Sequence, residues 1–136
     1  MTSGERHVLH ALGSLMTQSR SLLLEEGEPE LRPSHHRVLG HVPPEGITVT
    51  DLAERVGMTK QGIGQFVTRL TASGHLTVSA SPDDRRVRIV RRTAKGDAAA
   101  RRLTRLLDRL EADWAERVGV RRYREFRAVL DDIAGE

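Results

Sequence analysis

Residues 49–68 read VTDLAERVGMTKQGIGQFVT, and this stretch decides the fold. It reads as two short helices meeting at a tight turn. Leu52, Ala53, Val56, Gly57, Met58, Ile63 and Phe66 are spaced as a helix-turn-helix needs. Leu52, Val56, Ile63 and Phe66 fill the angle between the helices, and Ala53 lets the second helix approach the first closely. Gly57 gives the turn a residue that tolerates positive φ. Thr48 can cap the first helix, with Asp51 three residues on as its capping-box partner, and Thr59 can cap the second. The second helix then runs to about Ser73 and ends at Gly74.

A basic strand pair follows. Leu76, Val78 and Ala80 alternate with Thr77 and Ser79, as in a half-buried strand. Ser81-Pro82-Asp83-Asp84 is a turn signal, because Pro fixes φ at the second position. The returning strand is expected from Arg86 to Arg92, with Val87 and Ile89 on one face and Arg86, Arg88 and Arg92 on the other. A hairpin in this place is the wing of a winged helix.

Working outward, Val8, Leu12, Leu15, Met16, Leu22 and Leu23 recur at helical spacing and predict a first helix over about residues 5–25. Pro33 fits the first position of a second helix that carries Val38 and Leu39 and stops before Pro43-Pro44. After the hairpin, Thr93 and Gly96 lead into a long helix bearing Leu103, Leu106, Leu107, Leu110 and Trp114. A final helix carries Phe126, Val129, Leu130 and Ile133. The expected fold is mainly α with a small β-wing: a winged helix-turn-helix flanked by N- and C-terminal dimerisation helices. Its parts are an N-terminal dimerisation helix in residues 1–30, a DNA-binding module in 31–96 and C-terminal dimerisation helices in 97–136. Two leucine-rich ends around one small module suggest a shared interface, so a homodimer is expected.

Composition narrows the chemistry. At 136 residues, 38% hydrophobic but with one Trp, one Tyr and two Phe, the chain builds a single, mainly aliphatic core. With no Cys, disulfides, thiol redox sensing and a Cys-based zinc site are excluded. No apolar run approaches membrane-spanning length, and the N-terminus lacks the apolar region of a signal peptide, so a cytoplasmic protein is expected. The net charge of +3 is unevenly spread: residues 83–109 carry 10 basic and 4 acidic side chains, whereas residues 1–58 carry 5 basic and 8 acidic. Concentrated positive charge beside a helix-turn-helix is a footprint for polyphosphate.

The arrangement resembles the MarR family of winged-helix transcriptional regulators. The resemblance rests on DLAERVG (51–57), on VTRLTASGHL (67–76), and on Asp84-x-Arg86 followed by Val90, Thr93 and Gly96. Val78 and Arg92 depart from the family pattern, which often has a basic residue and usually a Leu at these places. The resemblance implies a homodimer on a pseudo-palindromic operator, in many members released by a small ligand. It also implies that Asp84 holds the wing or orients Arg86 through an ion pair.

The candidate DNA contacts follow from side-chain chemistry. Ile63, Phe66, Val67 and Leu70 form the inward stripe of the second helix, and Lys60, Gln61, Gly64, Gln65 and Thr68 its outward face. Gln can bond both edges of adenine, and Lys reaches guanine acceptors or a phosphate. Gly62 and Gly64 each cost a helix about 1 kcal/mol relative to Ala, and close approach to DNA is one reason to keep them. A helix that stays loose until DNA orders it is the other. Arg86 suits a narrow minor groove, while Arg69, Arg85 and Arg88 suit phosphates, as do Thr59 and the helix N-terminus beside it.

Other chemistry is sparse. The chain has no Gly-x-Ser-x-Gly, no phosphate-binding Gly loop and no His-Glu-x-x-His, so no enzyme is expected. Six His are present, but His35 and His36 are adjacent and His7 and His10 lack an acidic partner at the next turn. No cofactor and no metal are expected, and His10, His36 and Trp114 are candidates for an effector pocket by family analogy alone. The expected function is a sequence-specific transcriptional repressor. A non-specific DNA binder and a winged helix used for protein contact are its rivals.

Overall fold

Three threonines mark where the central helices begin. In the computed structural model, which describes residues 6–136, Thr48, Thr59 and Thr93 each accept the backbone N–H three residues on, from Asp51, Gly62 and Gly96. Each bond satisfies one of the free N–H groups of a helix start. The return half of the capping box expected of Asp51 is found one helix earlier, where His35 Nδ1 accepts the N–H of Arg32 at 3.0 Å.

The elements are α1 (Val8–Glu26), α2 (Pro33–Gly40), β1 (Ile47–Thr48), α3 (Val49–Val56), α4 (Lys60–Ala72), β2 (Leu76–Ala80), β3 (Arg88–Arg92), α5 (Ala94–Val118) and α6 (Val120–Ala134). Residue 5, expected to open the first helix, lies outside the described residues, as do residues 1–4 of the expected N-terminal dimerisation segment. Gly57 ends α3 at φ +77°, so the turn of the helix-turn-helix uses the left-handed conformation that its glycine permits. Arg37 of α2 reaches the same end of α3 and donates to the Val56 carbonyl at 2.6 Å.

The core belongs to the middle of the chain. Leu39, Val42, Leu52, Val56, Ile63, Leu70, Leu76 and Val90 are all buried in one cluster that spans α2, α3, α4 and the sheet. Phe66 is only partly buried and meets His35 edge-on, with ring centroids 5.6 Å apart. Gly96 is what seats α5 on this cluster: a Cβ there would stand 2.0 Å from the His75 carbonyl oxygen, so only glycine allows the approach.

The sheet corrects the sequence reading twice. It has three antiparallel strands in the order β1-β3-β2, and the two-residue β1 was not anticipated. The returning strand also begins at Arg88, two residues later than expected. Residues 81–87 form the wing loop, closed by Ser81 N–H to the Val87 carbonyl at 2.8 Å and Val87 N–H to the Asp84 carbonyl at 3.0 Å. Pairing of Val78 with Val90 sets Val90 against the core, while Arg88 at the start of the strand stays exposed. Val90 is fully buried and Ile89 only half so.

The two positions that depart from the resembled pattern now have a physical setting. Val78 is half-buried and packs on the core opposite Val90. Arg92 occupies the inward end of β3, where its guanidinium meets Asp97 at 3.0 Å at the start of α5.

The terminal helices are different. α5 buries Ala99, Ala100 and Leu106 at its N-terminal half, but α6 has no buried residue and α1 only Leu23. No helix of the described residues is long and apolar enough to cross a membrane.

Candidate nucleic-acid interface

α4 presents two faces of opposite character because its apolar residues recur at helical spacing. Ile63, Val67 and Leu70 are buried beneath it, while Lys60, Gln61, Gln65, Thr68 and Arg69 are exposed. This is the inward and outward division expected of the sequence, with Phe66 at the border. Thr59 caps the helix at 3.0 Å and leaves the N-terminal backbone facing outward. Thr68 donates to the Gly64 carbonyl at 2.9 Å, which turns its hydroxyl proton toward the helix and leaves an oxygen lone pair outward.

The two helical glycines separate here. A Cβ on Gly64 would meet nothing within 4 Å among the described residues, so no contact among them requires glycine there. A Cβ on Gly62 would press within 3.1 Å of the Thr59 hydroxyl that caps the helix, and within 3.3 Å of Met58. Gly62 therefore protects the cap, and Gly64 keeps an open surface.

The wing stands beside this surface. Gly64, Val67, Thr68 and Thr71 of α4, Val78 of β2 and Arg88 of β3 line one open groove. Arg86 occupies the loop beyond it with its side chain 91% exposed. Asp84 accepts the Arg86 backbone N–H at 3.0 Å and its Nε–H at 3.3 Å. These two bonds, the backbone one first, hold the Asp84 carboxyl below its ordinary range. The contact between Asp84 and Arg86 is thus a turn lock as well as an ion pair, and it fixes where the arginine stem leaves the loop. Arg85 is exposed beside it.

The basic stretch 83–109 does not form one surface. Arg85, Arg86, Arg88 and the exposed Arg91 lie on the wing. Arg102 instead donates to the Glu26 carbonyl at 2.7 Å, and Arg109 pairs with the Glu26 carboxylate at 2.7 Å. Those α5 arginines tie the long helix to the end of α1. The usable positive face is the wing with Lys60 and Arg69.

The effector candidates do not converge within one protomer. His10 is exposed on α1, Trp114 donates to Gln18 at 2.9 Å, and His36 is buried near Gly27. Residues 10, 18 and 27 follow one another along α1, so about 25 Å separates the first from the last at about 1.5 Å per residue. His35 and His36 are buried in the core rather than displayed. Burial lowers the pKa of both, helped at His35 by Arg69 and Arg32.

Sequence reasoning missed His75. It is fully buried at the junction of α4 and β2, with its Nε2 toward Glu28 and Glu30. A single histidine between a helix end and a strand carries no periodic signal, and the glutamates lie 45 residues or more earlier in the chain.

Comparison with known proteins places this architecture. A model described as "MarR family" matches residues 30–87. No curated protein matches the sequence. Among solved structures, the PcaV transcriptional regulator of Streptomyces coelicolor, in complex with its natural ligand, is 23% identical, with 99% of this chain and 98% of that one covered and a TM-score of 0.77. The transcriptional repressor CouR, bound to a 23-mer DNA duplex, is 26% identical, with 98% of each chain covered and a TM-score of 0.80. MarR itself is 20% identical, with 99% and 93% covered and a TM-score of 0.86.

Proposed function

We propose that this chain, whose residues 30–87 match a model of the MarR family, is a sequence-specific DNA-binding transcriptional regulator acting as a repressor. The observation that carries the reading is the shared groove of α4 and the wing. Exposed Lys60, Gln61, Gln65 and Thr68 on the helix stand beside it, and the exposed Arg86 is locked onto Asp84 at the wing. α4 enters the major groove, where Gln61 and Gln65 read adenine edges and Lys60 reaches guanine or phosphate. Arg86 enters the neighbouring minor groove. Thr59, Arg69, Arg85 and Arg88 hold phosphates, which sets register without reading sequence. Gly64 allows the backbone of α4 to approach the bases, a role supported by the open space around it.

The regulator works as a homodimer. Val8, Leu9, Met16 and Leu24 on α1, and Val120, Phe126, Val129 and Ile133 on α6, are exposed large hydrophobics at both ends of one chain. A second copy covers them, and the two α4 helices then meet successive major grooves about 34 Å apart on an inverted repeat. CouR is described on a DNA duplex and PcaV with its natural ligand. Release of DNA by a small ligand is therefore part of the proposal.

Selection of bound fragments from a random DNA pool at about 150 mM salt tests it. Wild type is expected to enrich an inverted repeat. Gln65→Ala relaxes the inner positions, and Arg86→Ala weakens binding to every selected site. No enrichment, with binding that vanishes as salt rises, leaves a non-specific binder. No binding at all turns the module into a protein-contact surface.

A further inference from the structure

The strongest unexplained feature lies away from the DNA-facing groove. Glu28 and Glu30 belong to the connection between α1 and α2, and His75 ends the short turn between α4 and β2. Their ligand-bearing atoms all lie within 4.8 Å of one another. His75 Nε2 stands 3.6 Å from Glu28 Oε2 and 3.7 Å from Glu30 Oε1, yet it is fully buried and hydrogen-bonded to neither. A buried polar atom without a partner loses its hydration and gains no bond in return, so its retention here needs a reason.

The surroundings fix what that nitrogen offers. The Ser73 hydroxyl has one proton and gives it to the Leu70 carbonyl at 3.1 Å. With that proton on Leu70, the hydroxyl oxygen is free to take an Nδ1–H from His75 at 2.7 Å, and in that tautomer the Nε2 lone pair faces the two carboxylates. The backbone beneath is held as firmly: His75 N–H donates to Leu70, and its carbonyl accepts from Thr93 at 3.1 Å. A histidine whose far nitrogen is pinned by a hydrogen bond is a histidine oriented as a ligand.

We propose that Glu28, Glu30 and His75 form a binding site for a divalent transition-metal ion, Zn2+ in the first instance. Ligand bonds of about 2.0–2.2 Å in tetrahedral array put neighbouring donor atoms roughly 3.4 Å apart. The observed 3.6 and 3.7 Å are within a few tenths of that and too long for hydrogen bonds. One imidazole with two carboxylates suits zinc and its neighbours, whereas calcium and magnesium favour all-oxygen sets. Lys95 Nζ donates to the same Glu30 oxygen at 2.7 Å and must give way to the ion. Its half-exposed, flexible stem lets it do so. A fourth position is left for water. The ion would join the exit of α1 to the end of α4, two segments that share no covalent neighbour.

Titration of the tag-free full chain with Zn2+ by calorimetry, and with Co2+ by visible absorption, tests the proposal. Wild type is expected to take one ion per chain, with the absorption bands of tetrahedral cobalt. Glu28→Gln/Glu30→Gln, which changes only partly exposed side chains, abolishes this site, and Ser73→Ala weakens it about 10–100-fold. His7→Ala/His10→Ala leaves it unchanged. The proposal is overturned if wild type binds no ion at micromolar concentration, if binding survives the double glutamine variant, or if it depends on His7 and His10.

Discussion

The winged helix and the terminal helices treat their apolar residues in opposite ways. In residues 31–96 the large aliphatics turn inward and meet each other: Leu39, Leu52, Ile63 and Val90 are all fully buried within one protomer. In α1 and α6 many of the same residue types stay in the open, Val8, Leu9, Met16, Leu24 and Val129 among them, with Ile133 78% exposed. α6 is fastened to α5 instead by polar contacts. The Tyr123 hydroxyl donates to Glu111, and Arg127 meets the same carboxylate at 3.1 Å. Burial first and Glu111 second push the Tyr123 hydroxyl up to about 12. An amphipathic helix that fastens by its polar groups and leaves its apolar face open has its partner elsewhere. The winged helix is thus self-sufficient, and the ends keep open the apolar faces that the proposed second copy would cover.

The largest effect should come from damaging the self-sufficient half. Leu52→Ala empties a fully buried position and is expected to cost about 2–5 kcal/mol in urea unfolding. The same truncation at exposed Leu24 should leave protomer stability within about 0.5 kcal/mol. Equal losses at the two sites would erase the contrast. Next comes the open half. Val129→Glu/Ile133→Glu, one turn apart on α6, should weaken dimerisation by at least about 2 kcal/mol, near 30-fold in Kd. Far-ultraviolet circular dichroism should be unchanged, and a dimer that survives both charges would place the interface on other helices.

Smaller effects sharpen the α4 surface. Gly64→Ala should raise helix stability by about 1 kcal/mol, since the new Cβ meets nothing, while weakening operator binding. If binding tightens as the melting temperature rises, close approach to the bases was unnecessary. Thr59→Ala should cost about 1 kcal/mol through the lost cap. The finest test uses pH. His35 and His36 have lowered pKa values in the fold, so the unfolded chain takes up protons first. Stability is then complete above about 6.5, the ordinary value, and declines as pH falls below it. Urea midpoints between neutral and mildly acidic pH should follow that direction, and His36→Leu should flatten the slope. A midpoint that rises on acidification would contradict the burial argument.

These contrasts explain what could be read in the sequence. Thr48, Thr59, Thr93 and Gly57 announce the helix boundaries because capping and positive φ are local requirements. The α4 stripe is legible because one helix face repeats itself. β1 was hidden, since Ile47 and Thr48 are too few to show a period. The start of β3 was misread because Val87 belongs to the wing loop, and which of Ile89 and Val90 meets the core is set by cross-strand pairing with Val78. The charge of residues 83–109 looked continuous, but packing sends Arg102 and Arg109 to Glu26 and leaves Arg85, Arg86 and Arg88 on the wing. Glu28, Glu30 and His75 meet only through the tertiary fold.

The most direct test is sedimentation of the full chain at micromolar concentration, alone and with the inverted repeat recovered by selection. The account predicts two chains per particle in the free protein and two chains per duplex in the complex, with both lost in Val129→Glu/Ile133→Glu. A free monomer that loads singly onto each half-site would contradict it.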